Sequence, residues 1–191
     1  MKEQKLLTDF LLLRDHCVSL HWSFYTYCDL FNDENRDLLD KVAPVFFSDI
    51  ASIMHRDWIL QACKLMDPAE TKYKGIVCEN ITIKLINKQL EKHNLLNKNI
   101  VDVSDKISKY GDNIKPARNK RLAHYDRDSQ IKNAILGETS EAELLEFLDS
   151  LQEYCDLVGE EIGVGPLAFG GGGCSGDVLD FLKYLRGKEN A

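Results

Sequence analysis

The stretch Ile114-Lys-Pro-Ala-Arg-Asn-Lys-Arg-Leu-Ala-His-Tyr-Asp126 gathers Lys115, Arg118, Asn119, Lys120 and Arg121 ahead of a single histidine, His124, with Arg127 just beyond. Histidine is the side chain whose ordinary pKa, ~6.5, suits proton transfer near neutral pH. Guanidinium groups grip phosphate oxygens in pairs and stabilise the charge that builds on phosphorus in a transition state. A phosphodiester-cleaving site that uses no metal needs these two kinds of group side by side. Asn119 is suited to orienting the imidazole or binding a phosphate oxygen. Lys115, Lys120, Arg121 and Arg127 are the expected contacts to a nucleic-acid backbone.

Helical geometry complicates this picture. Arg118 and His124 are six residues apart, which on a regular α-helix separates them by about 120° around the axis. Lys120 and Arg121 share a face with His124 more readily. A non-helical start near Pro116, or a second copy of the chain, brings Arg118 and His124 together. The blander reading is a basic turn on a helix surface, with His124 capping a helix end or pairing with Asp126.

The chain has 191 residues, 44% hydrophobic and 29% charged, with a net charge of −7. That is enough for one well-buried domain, and the average charge argues against a general nucleic-acid coat or a polybasic membrane binder. The average conceals the distribution. Residues 72–132 carry 14 basic and 7 acidic side chains, and the remainder carries 10 and 24. Lys84, Lys88 and Lys92, spaced by four, form a ladder that on most helices is a solvated face. Beside the Arg/His segment, Lys84 and Lys88 would extend a track for RNA phosphates.

The elements that must position these groups read as helices. Leu6, Phe10, Leu13, Cys17, Leu20, Phe24, Tyr27 and Phe31 recur at alternating spacings of four and three, one apolar stripe along a long first helix. Further helices are expected over 36–42, 44–66 (Pro44 in its first turn), 81–96, 100–123 with a break between Gly111 and Pro116, and 141–161. Ser140 with Glu143 caps the last of these. The segment after Asp67-Pro68, with Lys72, Lys74 and Gly75, reads as a polar connection. Trp22, Trp58, Phe24, Phe46 and Phe47 read as core. Glycines at 163, 165 and 170–173 interrupt the helical pattern before a short C-terminal helix over 178–185. The expectation is an all-α antiparallel bundle over 1–162, a glycine-rich hinge over 163–176, and a C-terminal helix and tail over 177–191.

Other chemistries are weaker. Cys17, His21 and His16 lack a second ligand pair for zinc, and Cys17 lies on the apolar stripe, so no metal and no cofactor is expected. Nothing marks a cysteine as an activated nucleophile. Gly170 to Gly173 lacks the Lys-Ser/Thr of a phosphate loop. No apolar run approaches the roughly 20 residues that span a bilayer. Six singly scattered cysteines read as reduced thiols of a cytoplasmic protein.

Arg118-Asn-Lys-Arg-Leu-Ala-His124 resembles the Arg-x4–6-His motif of the HEPN superfamily (higher eukaryote and prokaryote nucleotide-binding), and most closely its AbiU-like abortive-infection branch. His21-Trp22 with Tyr25 and Phe31, Ala43-Pro-Val-Phe-Phe47, Leu65-Met-Asp-Pro68 and the late glycine-rich segment fit that branch in order. The resemblance implies a helical bundle that dimerises, placing two Arg/His motifs across a cleft. It implies a metal-independent endoribonuclease of phage defence or a toxin–antitoxin pair, with RNA as substrate and an antitoxin or regulatory protein as partner. His124 would activate or position a ribose 2′-hydroxyl and Arg118 would stabilise the pentavalent phosphate, leaving a 2′,3′-cyclic phosphate. The alternative is a non-catalytic module that binds nucleotide, RNA or a partner protein. One HEPN group carries a tyrosine two residues after the histidine as a modification target; Asp126 stands there instead.

Overall fold

A computed structural model describes residues 2–122, 139–170 and 173–189. Seven α-helices dominate these residues: α1 Lys2–Leu30, α2 Asp33–Val42, α3 Pro44–Leu65, α4 Ile83–Lys92, α5 Lys98–Ala117, α6 Glu141–Glu161 and α7 Val178–Glu189. The all-α expectation holds.

The apolar stripe of α1 explains its length and place. Leu6, Phe10, Leu13, Cys17 and Leu20 are buried against α3, α4 and α6, while Phe24, Tyr27 and Phe31 are half-buried. Across the core, Tyr110 of α5 stacks on Phe147 of α6 with ring centroids 4.3 Å apart. Polar ties hold the packed faces in register. Gln89 donates to Asp9 (2.7 Å), joining α4 to α1, and the Trp58 indole donates to the Leu20 carbonyl (3.3 Å), joining α3 to α1. Tyr154, wholly buried in α6, donates to Asn87 (2.8 Å), which in turn donates to Ser104 (3.0 Å). Burial pushes the Tyr154 hydroxyl well above its ordinary pKa, so it stays a neutral donor.

A second, smaller core sits where α7 meets the α1–α2–α3 corner, with Leu182 against Leu30, Leu38, Leu39 and Phe47. The C-terminal helix thus packs on its own chain. Gly163, Gly165 and Gly176 all take positive φ in the segment leading to it. Trp22 and Phe46 depart from their expected core roles, being 39% and 57% exposed. Trp22 instead donates its indole N–H to the Phe169 carbonyl, 2.9 Å away.

The structure corrects the reading in two further places. Residues expected to form a polar connection form a hairpin, β1 Glu70–Tyr73 and β2 Ile76–Glu79. Its turn places Lys74 at φ 49° and Gly75 at φ 83°, the left-handed pair that matches the twist of the flanking strands. Every strand residue is exposed, so there is no alternation of buried side chains to signal it. The break expected between Gly111 and Pro116 is also absent, since α5 runs unbroken to Ala117. Gly111 stays helical because the end of α3 rests on it. A Cβ there would lie 2.2 Å from Met66 Sδ, and Met66 is 2% exposed.

This contact yields a non-additive expectation. Gly111→Ala gains about 1 kcal/mol of helix propensity but overpacks Met66, with a net loss of about 1–2 kcal/mol in urea unfolding. In a Met66→Ala background the same change should be neutral or stabilising. Equal effects in both backgrounds would mean that Met66 does not need the glycine.

Candidate functional site

Pro116 shapes the start of the site. Lacking an N–H, it removes the helical bond that residue 116 would have made to the Asp112 carbonyl. Two residues on, the backbone widens into a π-helical turn, Arg118–Leu122, so the regular 100° per residue no longer applies there. Arg118 closes the α-helix, its N–H reaching the Ile114 and Lys115 carbonyls.

Arg118 is seven residues, two turns, beyond Gly111, hence on the same face of the helix. The close seat of Met66 on Gly111 therefore brings the next residue of the α3 terminus, Asp67, up to Arg118. Arg118 Nη2 donates to Asp67 Oδ2 at 3.2 Å, and Nη1 donates to Asn119 Oδ1 at 3.1 Å. The two ion-pair partners are 31% and 26% exposed, so the guanidinium is held in orientation but still meets solvent. Among the described residues, two of the N–H groups of its donor fork are engaged. Cys63 lies beneath; burial pushes its thiol up, while the charge of Arg118 pulls the other way.

Asn119 and Lys120 are exposed on the same turn. Lys115 pairs with Asp112 at 2.7 Å, and Lys84 adds its positive field to that carboxylate. Lys88 pairs with Glu70. Arg118, Asn119 and Lys115 thus lie at the α3–α5 junction, Lys84 of α4 faces Asp112 of α5, and Arg121 occupies the π turn. His124 and Arg127 lie outside the described residues.

Asp67 is the residue that sequence reading passed over. In the sequence it stands only within Leu65-Met-Asp-Pro68 and ahead of a polar connection, and a partner 51 residues away leaves no trace in local spacing. One and two turns before Arg118, Ile114 and Tyr110 border a largely apolar cleft of about 200 Å³ shared with Trp58 and His55 of α3. Among the described residues no group of three or more His, Cys, Asp or Glu is placed to hold a metal ion. His16 contacts the Gln61 carbonyl, the free thiols of Cys17 and Cys155 are in hydrogen-bond contact, and His21 packs between Tyr25 and Phe169. No described helix is long and apolar enough to cross a membrane.

The described residues form an all-α bundle with an arginine–asparagine pair at the end of a core helix, followed by a basic turn. The chain belongs to the AbiU2 family, HEPN_AbiU2, which it matches over residues 3–181. Comparison with curated proteins and with solved structures gives no match.

The exposure of the Asp67–Arg118 pair sets its energetic weight. Asp67→Ala is expected to cost no more than about 1 kcal/mol in urea unfolding, the range of partly solvated ion pairs. A loss of about 3 kcal/mol or more would identify the pair as a buried structural element rather than a positioned functional one.

Proposed function

We propose that this protein is a metal-independent endoribonuclease acting in phage defence by abortive infection, or as the toxin of a toxin–antitoxin pair. In this reading His124 takes the proton of a ribose 2′-hydroxyl as the oxygen attacks the adjacent phosphorus. Arg118 neutralises the charge on the pentavalent phosphate, and Asn119 fixes the guanidinium or a phosphate oxygen. The bond from phosphorus to the 5′-oxygen breaks, giving a 2′,3′-cyclic phosphate and a 5′-hydroxyl once the leaving oxygen is protonated. The observation that supports this most is the fixed, part-exposed guanidinium of Arg118, held by Asp67 and Asn119 at the head of the motif. A homodimer that sets two motifs across a shared cleft completes the proposal, with Lys115, Lys120, Arg121, Arg127, Lys84 and Lys88 as contacts to the RNA backbone.

The same observation also supports a second reading. An arginine already engaged by a carboxylate and an amide suits a module that binds RNA, nucleotide or a partner protein without cleaving it.

The two readings separate in one assay. Purified protein should cleave RNA in EDTA and leave cyclic phosphate ends, and Arg118→Ala and His124→Ala should each reduce the rate at least about 100-fold, the scale of one catalytic group, with the fold retained. Salt-sensitive RNA binding without cleavage, unchanged by EDTA or added divalent ions, would establish the second reading.

A further inference from the structure

The β1–β2 hairpin has no evident work inside the fold. All eight strand residues are exposed, with Tyr73 and Ile76 each 66% so. Its root, however, is firmly tied. Asn80 donates through its backbone to the Ala69 carbonyl and through its side chain to the Pro68 carbonyl, both at 2.8 Å. The paired glutamates at the open end, Glu70 opposite Glu79, are each held by a bundle lysine, Lys88 of α4 and Lys5 of α1.

These ties have an electrostatic consequence. The two acidic side chains of the hairpin are neutralised at its root, and Lys72 and Lys74 leave the tip cationic. Strand alternation puts Glu70, Lys72, Val77 and Glu79 on one face, the face tied to the bundle, and Thr71, Tyr73, Ile76 and Cys78 on the other. The Lys74 ammonium lies 5.3 Å from the centroid of the Tyr73 ring, so aromatic face and cation occupy one spot.

The root also fixes where the tip starts from. Pro68 follows Asp67, the residue that holds Arg118. Each strand spans roughly 13 Å at about 3.3 Å per residue, so the tip stands well clear of the junction. Beside the root runs the α4 ladder: Lys84 acts on Asp112 beside Lys115, Lys88 holds Glu70, and Lys92 acts on the same carboxyl. Cations therefore flank the hairpin at its root, and Lys74 sets another beside the exposed tyrosine at its tip.

We propose that the hairpin is a finger that grips single-stranded RNA, Tyr73 stacking on an unpaired base and Lys72 and Lys74 holding adjacent phosphates. This deepens the reading of the protein as an RNA-acting enzyme and rests on it. An aromatic ring paired with cations along a basic track is the chemistry of single-strand binding, tolerant of sequence because every base has a stacking face. A purely apolar protein contact would not call for the two lysines or for neutralised acids at the root.

The test uses full-length protein and a fluorescein-labelled single-stranded RNA in EDTA, reading Kd across a salt series and cleavage kinetics. Tyr73→Ala should weaken binding about 10-fold, with Tyr73→Phe close to wild type, and the loss in kcat/KM should fall on KM. Lys72→Ala/Lys74→Ala should flatten the slope of log Kd against log salt by about 1.4, the value for two phosphates on a single strand. If wild type binds and cleaves RNA and these variants match it, the finger is refuted while the nuclease reading stands. If wild type neither binds nor cleaves, the underlying reading fails and the finger with it. Binding that weakens as expected in a protein that never cleaves supports the finger and refutes catalysis. Variants that lose self-association but keep RNA affinity would make the hairpin a protein contact and overturn the proposal.

Discussion

The close approach of the α3 terminus to α5 is the constraint on which the site depends. Only a residue without a Cβ lets Met66 pack where it does, and Gly111 supplies that space within an otherwise continuous helix. Two turns later the same face presents Arg118, and the residue after Met66 is Asp67. A packing contact in the core is thus converted into the orientation of a surface guanidinium. The hairpin shares this origin, because it leaves the bundle immediately after Asp67-Pro68. Packing, charge placement and the β hairpin all trace to the junction.

Charge distribution follows the same logic. A chain of net −7 repels polyanions over most of its surface, while residues 72–132 gather cations on α4, α5 and the hairpin. Several are paired with acids: Lys115 with Asp112, Lys88 with Glu70, Arg118 with Asp67. These pairs hold long side chains in place at small energetic gain, since partly solvated ion pairs contribute at most about 1 kcal/mol each. Their value is positional. An acidic surround with a narrow basic track repels a polyanion everywhere except along that track.

Much of the fold was legible in the sequence because burial repeats. The α1 stripe marks the five buried apolar positions from Leu6 to Leu20, and the Ser140/Glu143 capping box marks the start of α6, with both reciprocal bonds formed. What escaped has a physical reason in each case. The hairpin buries nothing, so its only signal is the Lys74-Gly75 turn between short β-branched and aromatic runs. Trp22 and Phe46 are apolar by type, but Trp22 spends its indole on a carbonyl of the late loop, and Phe46 stands beside the buried Phe47 on the outer side of α3. Composition alone does not record which neighbour takes the core. At the site, the motif announces Arg118 and Asn119 by type and spacing. Asp67 announces nothing, since its role arises only when two distant helices meet.

The central claim is that Asp67 acts on RNA chemistry only through Arg118. A double-mutant cycle on the single-turnover cleavage rate in EDTA, comparing wild type, Asp67→Ala, Arg118→Ala and the double variant, measures this directly. Asp67→Ala should slow cleavage in the presence of Arg118 and have no further effect once Arg118 is gone. Additive losses, or a wild type with no cleavage to lose, would contradict it.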